Sequence, residues 1–280
     1  MIVDYVKIYQ QKENYNFFPK KLIWYDDFDG EDLDKTKWNF DVGKGINGWG
    51  TNQKQYYTDR KENIYLSNSK LYIKAIKENY RGSLYTSGRI NTKNNFQLKY
   101  GIIETKIKFP SVKGVSPGFF LSRFFQNKTS EFNEIDALIG KDGEKKISSG
   151  CIWGKNLAYF RETDYDITKF NEYTIIWDKK SITIYADDLE IYKIDIYSEN
   201  LANLHNPFYL NLNVLVGGNT VNNQIDDSAF PVEMVVDYIK VYQYNNNKKI
   251  SDEIKIDDNS NINNNFKVIY ILILLNILLF

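Results

Sequence analysis

The chain has one cysteine, one histidine and no surplus of either charge. A lone Cys151 excludes any intrachain disulfide and says little about compartment. Lys and Arg together number 36, and so do Asp and Glu. Nothing in the charge therefore points to nucleic acid or an anionic membrane as a partner. His205 precedes Asn206-Pro207-Phe208 in an apparent loop, so it reads as structural or exposed. What remains suits packing without staples: 280 residues are enough for one large all-β domain with its own core. Aromatic residues reach 16 %, with 22 Tyr and 17 Phe. They suit a sandwich with a face that binds something flat, and they are equally ordinary β-core material.

One stretch carries chemistry. Glu131-Phe132-Asn133-Glu134-Ile135-Asp136-Ala137-Leu138-Ile139-Gly140 sets two carboxylates, Glu134 and Asp136, at i and i+2 in an otherwise apolar run. Period two predicts a strand with both acids on one face, roughly 6–7 Å apart between Cα atoms. Glycoside hydrolysis uses such acids: one carboxylate attacks the anomeric carbon while a second, about 5–5.5 Å away, protonates the leaving oxygen. The other reading is a solvent-facing strand with ordinary acids.

Asn133-Glu134-Ile135-Asp136 resembles the signature of family-16 glycoside hydrolases, the laminarinase and lichenase group. In that family the run is Glu-x-Asp-x-Glu, or Glu-x-Asp-x-x-Glu where a bulge shifts the last residue. The resemblance implies Glu134 as nucleophile and Asp136 as the residue that orients and tunes it. The third position, the acid/base, falls on Leu138 or, with a bulge, on Ile139, and neither carries a proton. Asp142 and Glu144, the next acids, lie in a polar turn and are poor substitutes.

Other motifs follow in family order over about residues 22–243. Residues 22–30 and 33–38 resemble the family's opening. Gly48-Trp49-Gly50-Thr51-Asn52-Gln53 resembles its cleft loop, with Gln53 in place of a usual Glu. Trp49 and Asn52 are candidate sugar contacts, an aromatic face for C–H groups and an amide for hydroxyls. A Trp packed under a Gly-rich turn is the alternative. The resemblance adds Arg89, Phe120, Trp153 and Asn213 as substrate-binding candidates. Ser116 and Phe120 stand where the family carries two tryptophans, and Ile152 where it carries a His. Asp27 and Asp237 match positions that can hold a structural Ca²⁺ in the family, an assignment that hard oxygen ligands fit. An ordinary surface Asp fits as well, and no cofactor is required. Residues 182–185 and 191–193 predict a hairpin around Ala186-Asp187-Asp188. Phe208, Leu210, Leu212, Val214 and Val216 predict the core face of a long strand.

Residues 1–10 and 234–243 differ only by Val/Ile exchanges apart from equal Met starts and matching Asp-Tyr and Tyr-Gln pairs. This predicts an internal repeat: residues 1–10 as the terminal strand of a preceding copy, followed by a linker over 11–21. The chain would then be a fragment of a tandem protein or one begun at an internal Met, without a leader at this N-terminus. Asn127-Lys128-Thr129 is a glycosylation sequon, relevant only in a secreted protein. Residues 244–266 predict a polar, disordered spacer. The apolar run 267–280 is short for a membrane span. It resembles a GPI-attachment signal, with a short tail anchor or an artefact of gene prediction as the alternatives.

The expected fold is a β-sandwich of the jelly-roll, concanavalin-like kind, two antiparallel sheets with a concave glucan cleft. The expected partner is a β-glucan polysaccharide, β-1,3- or β-1,3-1,4-linked. Membrane attachment would come through the tail, at the cell surface or outside the cell, and the chain would be a monomer or part of a tandem array. Three functions stay open: a glucan-binding protein impaired in O-glycosyl hydrolysis, an active retaining endo-β-glucanase or wall transglycosylase, and a non-catalytic structural module.

Overall fold

The computed structural model describes residues 20–123, 133–154, 157–221 and 224–244. The repeat remnant, the sequon, Glu131 and the C-terminal tail lie outside the described residues. Lys20–Tyr244 is one compact unit. Its first strand begins at Lys20, two residues ahead of the start read from the sequence.

Among the described residues seventeen strands follow one another. They begin with β1 (Lys20–Asp26), β2 (Asn39–Phe40), β3 (Gln55–Tyr57), β4 (Ile64–Leu66), β5 (Leu71–Tyr80), β6 (Ser83–Ser87) and β7 (Arg89–Asn91). Next come β8 (Gly101–Lys108), β9 (Val115–Ser122), β10 (Glu134–Gly140), β11 (Lys146–Trp153) and β12 (Leu157–Asp164). The last are β13 (Asn171–Trp177), β14 (Ser181–Ala186), β15 (Leu189–Asp195), β16 (Tyr209–Val216) and β17 (Val232–Tyr244). One sheet runs β15-β14-β13-β8-β17-β5-β6-β3, with β1 also on β17 and β4 also on β5. The other runs β12-β11-β10-β9-β16-β7-β2. Pairing among the described strands is antiparallel except between β3 and β6, which run parallel. The protein is thus an all-β sandwich, as the alternation predicts, of the jelly-roll kind that the family resemblance implies. Among the described residues no helix is long and apolar enough to cross a membrane.

Alternation explains the core. Leu71, Ile73 and Ala75 of β5 point inward, as do Ile103 and Ile107 of β8 and Leu210, Leu212 and Val214 of β16. All join one cluster with Phe119, Leu121, Ile135 and Leu138 from the second sheet. Each such fully buried aliphatic side chain contributes roughly 1.5–3 kcal/mol. The opposite face of the seven-stranded sheet mixes acids, amides and hydroxyls with aromatic and aliphatic side chains. His205 serves the fold: Nδ1 pairs with Tyr100 Oη at 2.8 Å and Nε2 with the Ile196 carbonyl at 2.6 Å.

Candidate functional site

Residues directly opposite one another in a ladder share a face, so the pairings of the seven-stranded sheet define three rows across its outer face. The first row is Ala158, Ile152, Glu134, Ser122 and Tyr209. The second is built of Phe160, Gly150 and Asp136, continued beyond β10 by Phe120, Asn211 and Asn91. The third is Glu162, Ser148, Ile139, Gly118, Asn213 and Arg89. Glu134, Asp136 and Ile139 therefore stand one per row, along a single strand.

That spacing depends on a bulge. The register of β10 slips between Asp136 and Ile139 against β11, and between Ile135 and Leu138 against β9. Two consecutive residues, Ala137 and Leu138, both lie in the core with no exposed surface. An extra residue in one strand of a pair bends it and resets its alternation, so Ile139 returns to the face of the two acids. The sequence left Leu138 and Ile139 both open, and the bulge selects Ile139. Its Cδ1 reaches toward Gly118, where a β-carbon would come within 3.0 Å of it and of Asn213 Oδ1. The acid in the same row is Glu162, two strands away, roughly 10 Å at the usual strand spacing. It pairs with Lys141 Nζ at 3.1 Å.

The two acids behave as one unit. Burial raises the Glu134 carboxyl well above the ordinary carboxylate range, and the charge of Asp136 raises it further. The Ser122 hydroxyl, donating to Glu134 Oε1 at 2.8 Å, and the charge of Arg89 pull it partly back. Burial pushes Asp136 up to about 7. Two carboxylates this close resist a second negative charge, so they titrate as a pair.

Arg89 ties the rest together. Its Nε lies 2.9 Å from Asp41 Oδ2. Its guanidinium carbon lies 4.7 Å from the Trp49 ring centre and 5.4 Å from that of Phe120. Trp49 sits on a tight loop with positive φ and lies across Gly45, where a β-carbon would fall 2.6 Å from its Cδ2. Its ring centre is 5.6 Å from that of Tyr57. Asn213 Nδ2 donates to Tyr57 Oη at 2.9 Å, and Tyr57 Oη donates to Gln53 Oε1 at 3.1 Å. Gln55 Nε2 also donates to Gln53 Oε1, at 2.6 Å. An amide fits at position 53 because its oxygen accepts two bonds while its nitrogen donates to Thr51 Oγ1 at 3.0 Å.

Arg89, Phe120, Asn213, Trp49, Glu134 and Asp136 are thus linked across one face. Asn52 lies exposed beyond them, its Nδ2 3.3 Å from Asn219 Oδ1. Trp153 is not brought to the rows: it follows Ile152 on the opposite face and packs against the core. Asp27 is exposed, whereas Asp237 faces Lys70 and Lys106 at 3.4 and 3.5 Å. Its charge is met there by ammonium groups. Among the described residues no group of three or more His, Cys, Asp or Glu is placed to hold a metal, and no step below uses one. Sequence reasoning missed Ser122, Tyr57 and Asp41. Ser122 was within reach, since it is two residues past Phe120 and shares its face. Asp41 and Tyr57 meet Arg89 and Asn213 only through the fold.

Comparison with known proteins gives consistent matches. The model of "Glycosyl hydrolases family 16" matches residues 47–240. A protein of Rhodothermus marinus described as a beta-glucanase is 31% identical over 248 residues, covering 80% of this chain and 85% of that protein. Glucan endo-1,3-beta-glucosidase A1 of Niallia circulans is 31% identical over 256 residues, 79% of this chain. The chain spans only 38% of the Niallia protein. The X-ray structure of the laminarinase from Rhodothermus marinus superposes with a TM-score of 0.75 at 28% identity, covering 81% of this chain and 99% of that one.

Proposed function

The chain belongs to glycosyl hydrolase family 16, and on that premise we propose that it binds β-glucan across the three rows and is impaired in hydrolysing O-glycosidic bonds. The observation that carries this is Ile139. A retaining mechanism sets the nucleophile and the acid/base on opposite sides of the scissile bond. Glu134 supplies the first, from the outer row. In the opposite row, where the bulge brings a side chain to the same face, stands a hydrocarbon group.

The chemistry follows from what each group can do. The Glu134 carboxylate, once ionised, attacks the anomeric carbon and forms a glycosyl ester. Asp136 accepts a hydrogen bond from the protonated Glu134 carboxyl, so the pair's last proton rests on Glu134 and must leave before attack. Departing sugar oxygen must then leave as an alkoxide, and the water that cleaves the ester finds no base. Missing general acid–base help costs about 10²–10⁴-fold. Arg89 lends its charge to this face, held over the buried Phe120 ring with Asn213 tied to Tyr57 beside it, and none of these depends on residue 139.

Sedimentation of the purified protein with insoluble β-1,3-glucan tests the binding half. Retention on the glucan, competed by soluble laminarin, is expected. Full recovery in the supernatant would favour a structural module instead. The active-glucanase reading rests on the intact Glu134–Asp136 pair, and ordinary turnover of laminarin would establish it.

A further inference from the structure

Gly150 stands directly opposite Asp136 in the ladder, and Phe160 directly opposite Gly150. A β-carbon on Gly150 would fall 2.2 Å from Phe160 Cδ1, 2.6 Å from Cγ and 2.7 Å from Cε1. Cγ and Cε1 lie no more than about half an ångström farther than Cδ1, where a point in the ring plane would stand roughly an ångström farther from both, so the phenyl ring lies face-down on the glycine. The residue is 42 % exposed even so. It sits on β12, beyond which no strand is paired among the described residues.

We propose that Phe160 is a sugar-stacking platform that carries the cleft onto the β11–β12 side of Asp136, with Gly150 as its floor. This rests on the glucan-binding reading above. A chain whose scissile bond lies between the rows of Glu134 and Ile139 must cross the strands along the middle row. On one side that row continues with the buried Phe120 and Asn211, and on the other with Gly150 and the exposed ring of Phe160. Two strand spacings put Phe160 roughly 10 Å from Asp136, room for one to two sugar rings. The C–H face of a pyranose is apolar and packs on an aromatic ring, while its hydroxyls stay at the rim. Glycine under the ring keeps the platform low enough for the chain to pass over it.

A ring lying over an edge glycine can also serve only the sheet, by covering its backbone. Titration calorimetry with laminarihexaose separates the two. Phe160→Ala removes the ring. Gly150→Ala leaves the ring in the sequence and lifts it from the floor. Phe160→Trp keeps an aromatic face. Loss of about five- to tenfold in affinity is expected for both alanine variants, with Phe160→Trp within about twofold of the parent. Melting curves confirm that each variant is folded. Parent-like affinity in folded Phe160→Ala and Gly150→Ala, beside clear binding by the parent, would overturn the platform alone. Absence of binding by the parent would overturn the glucan reading and the platform with it.

Discussion

On the proposal that the site lacks a proton donor, supplying one is the perturbation most closely tied to the geometry, and the bulge sets where it would go. Ile139→Glu puts a carboxyl on the face of Glu134 and Asp136, at a position that is already half-exposed. The gain should approach the usual worth of general acid–base help, about 10²–10⁴-fold, or about 3–5 kcal/mol of barrier at 1.36 kcal/mol per tenfold. Leu138→Glu, one residue earlier, should do the opposite. Leu138 has no exposed surface and belongs to the core. Losing its packing costs about 2–5 kcal/mol, and burying a carboxylate there adds several more. Against a total stability of about 5–15 kcal/mol, that variant should melt at least about 10 °C lower or fail to fold. The assay is reducing-sugar release from laminarin, run beside nitrophenol release from an aryl β-glucoside. Ile139→Glu should raise the first far more than the second, because nitrophenolate leaves without a proton. Activity gained at position 138 and not at 139 would refute the register argument.

Three further outcomes follow from the buried acids. Aryl glucoside cleavage should increase as pH rises above the ordinary carboxylate range, because Glu134 must be ionised to attack and burial holds it protonated well above that range; an acidic optimum in the pH profile would contradict this. Stability should move the other way. Both folded values lie above the unfolded ones, so the stabilisation is complete below about pH 4; the Asp136 share is lost as pH rises through about 7, and the Glu134 share as pH rises past its own raised value. Raising Asp136 from 3.8 to about 7 is worth at most about 4 kcal/mol at 1.36 kcal/mol per pH unit. Glu134→Gln combined with Asp136→Asn should therefore be the more stable protein at pH 8, by a margin that shrinks at pH 4 in urea melts. Azide should accelerate steady-state turnover of an aryl glucoside, since it needs no base to cleave the Glu134 ester; product analysis should find the glycosyl azide, and its absence would count against an ester intermediate.

Much of this was legible before any fold was known. Alternation at residues 71–76, 103–109 and 208–216 gave the core faces of three strands, because a side chain in a strand has only two directions available. Glu134 and Asp136 declared themselves by the same rule. Position 139 did not, since two apolar residues in a row leave the bulge unassigned until the neighbouring strands fix the register. Trp153 misled because an aromatic next to a cleft residue looks alike on either face. Its packing against the core follows from parity with Cys151. Phe160 was invisible for a different reason: Gly150 carries no side chain, so nothing in the sequence marks the spot where a ring from the edge strand comes to rest. Arg89 was found, while its partner Asp41 lies far from it in the chain and offered no pattern.

The most direct measurement is the ratio of laminarin cleavage to aryl β-glucoside cleavage by the same purified protein. A site with its nucleophile and without its acid should release nitrophenol slowly and leave laminarin essentially intact. Laminarin turnover at ordinary glucanase rates would mean that another group delivers the proton, and the assignment of position 139 as the missing donor would be wrong.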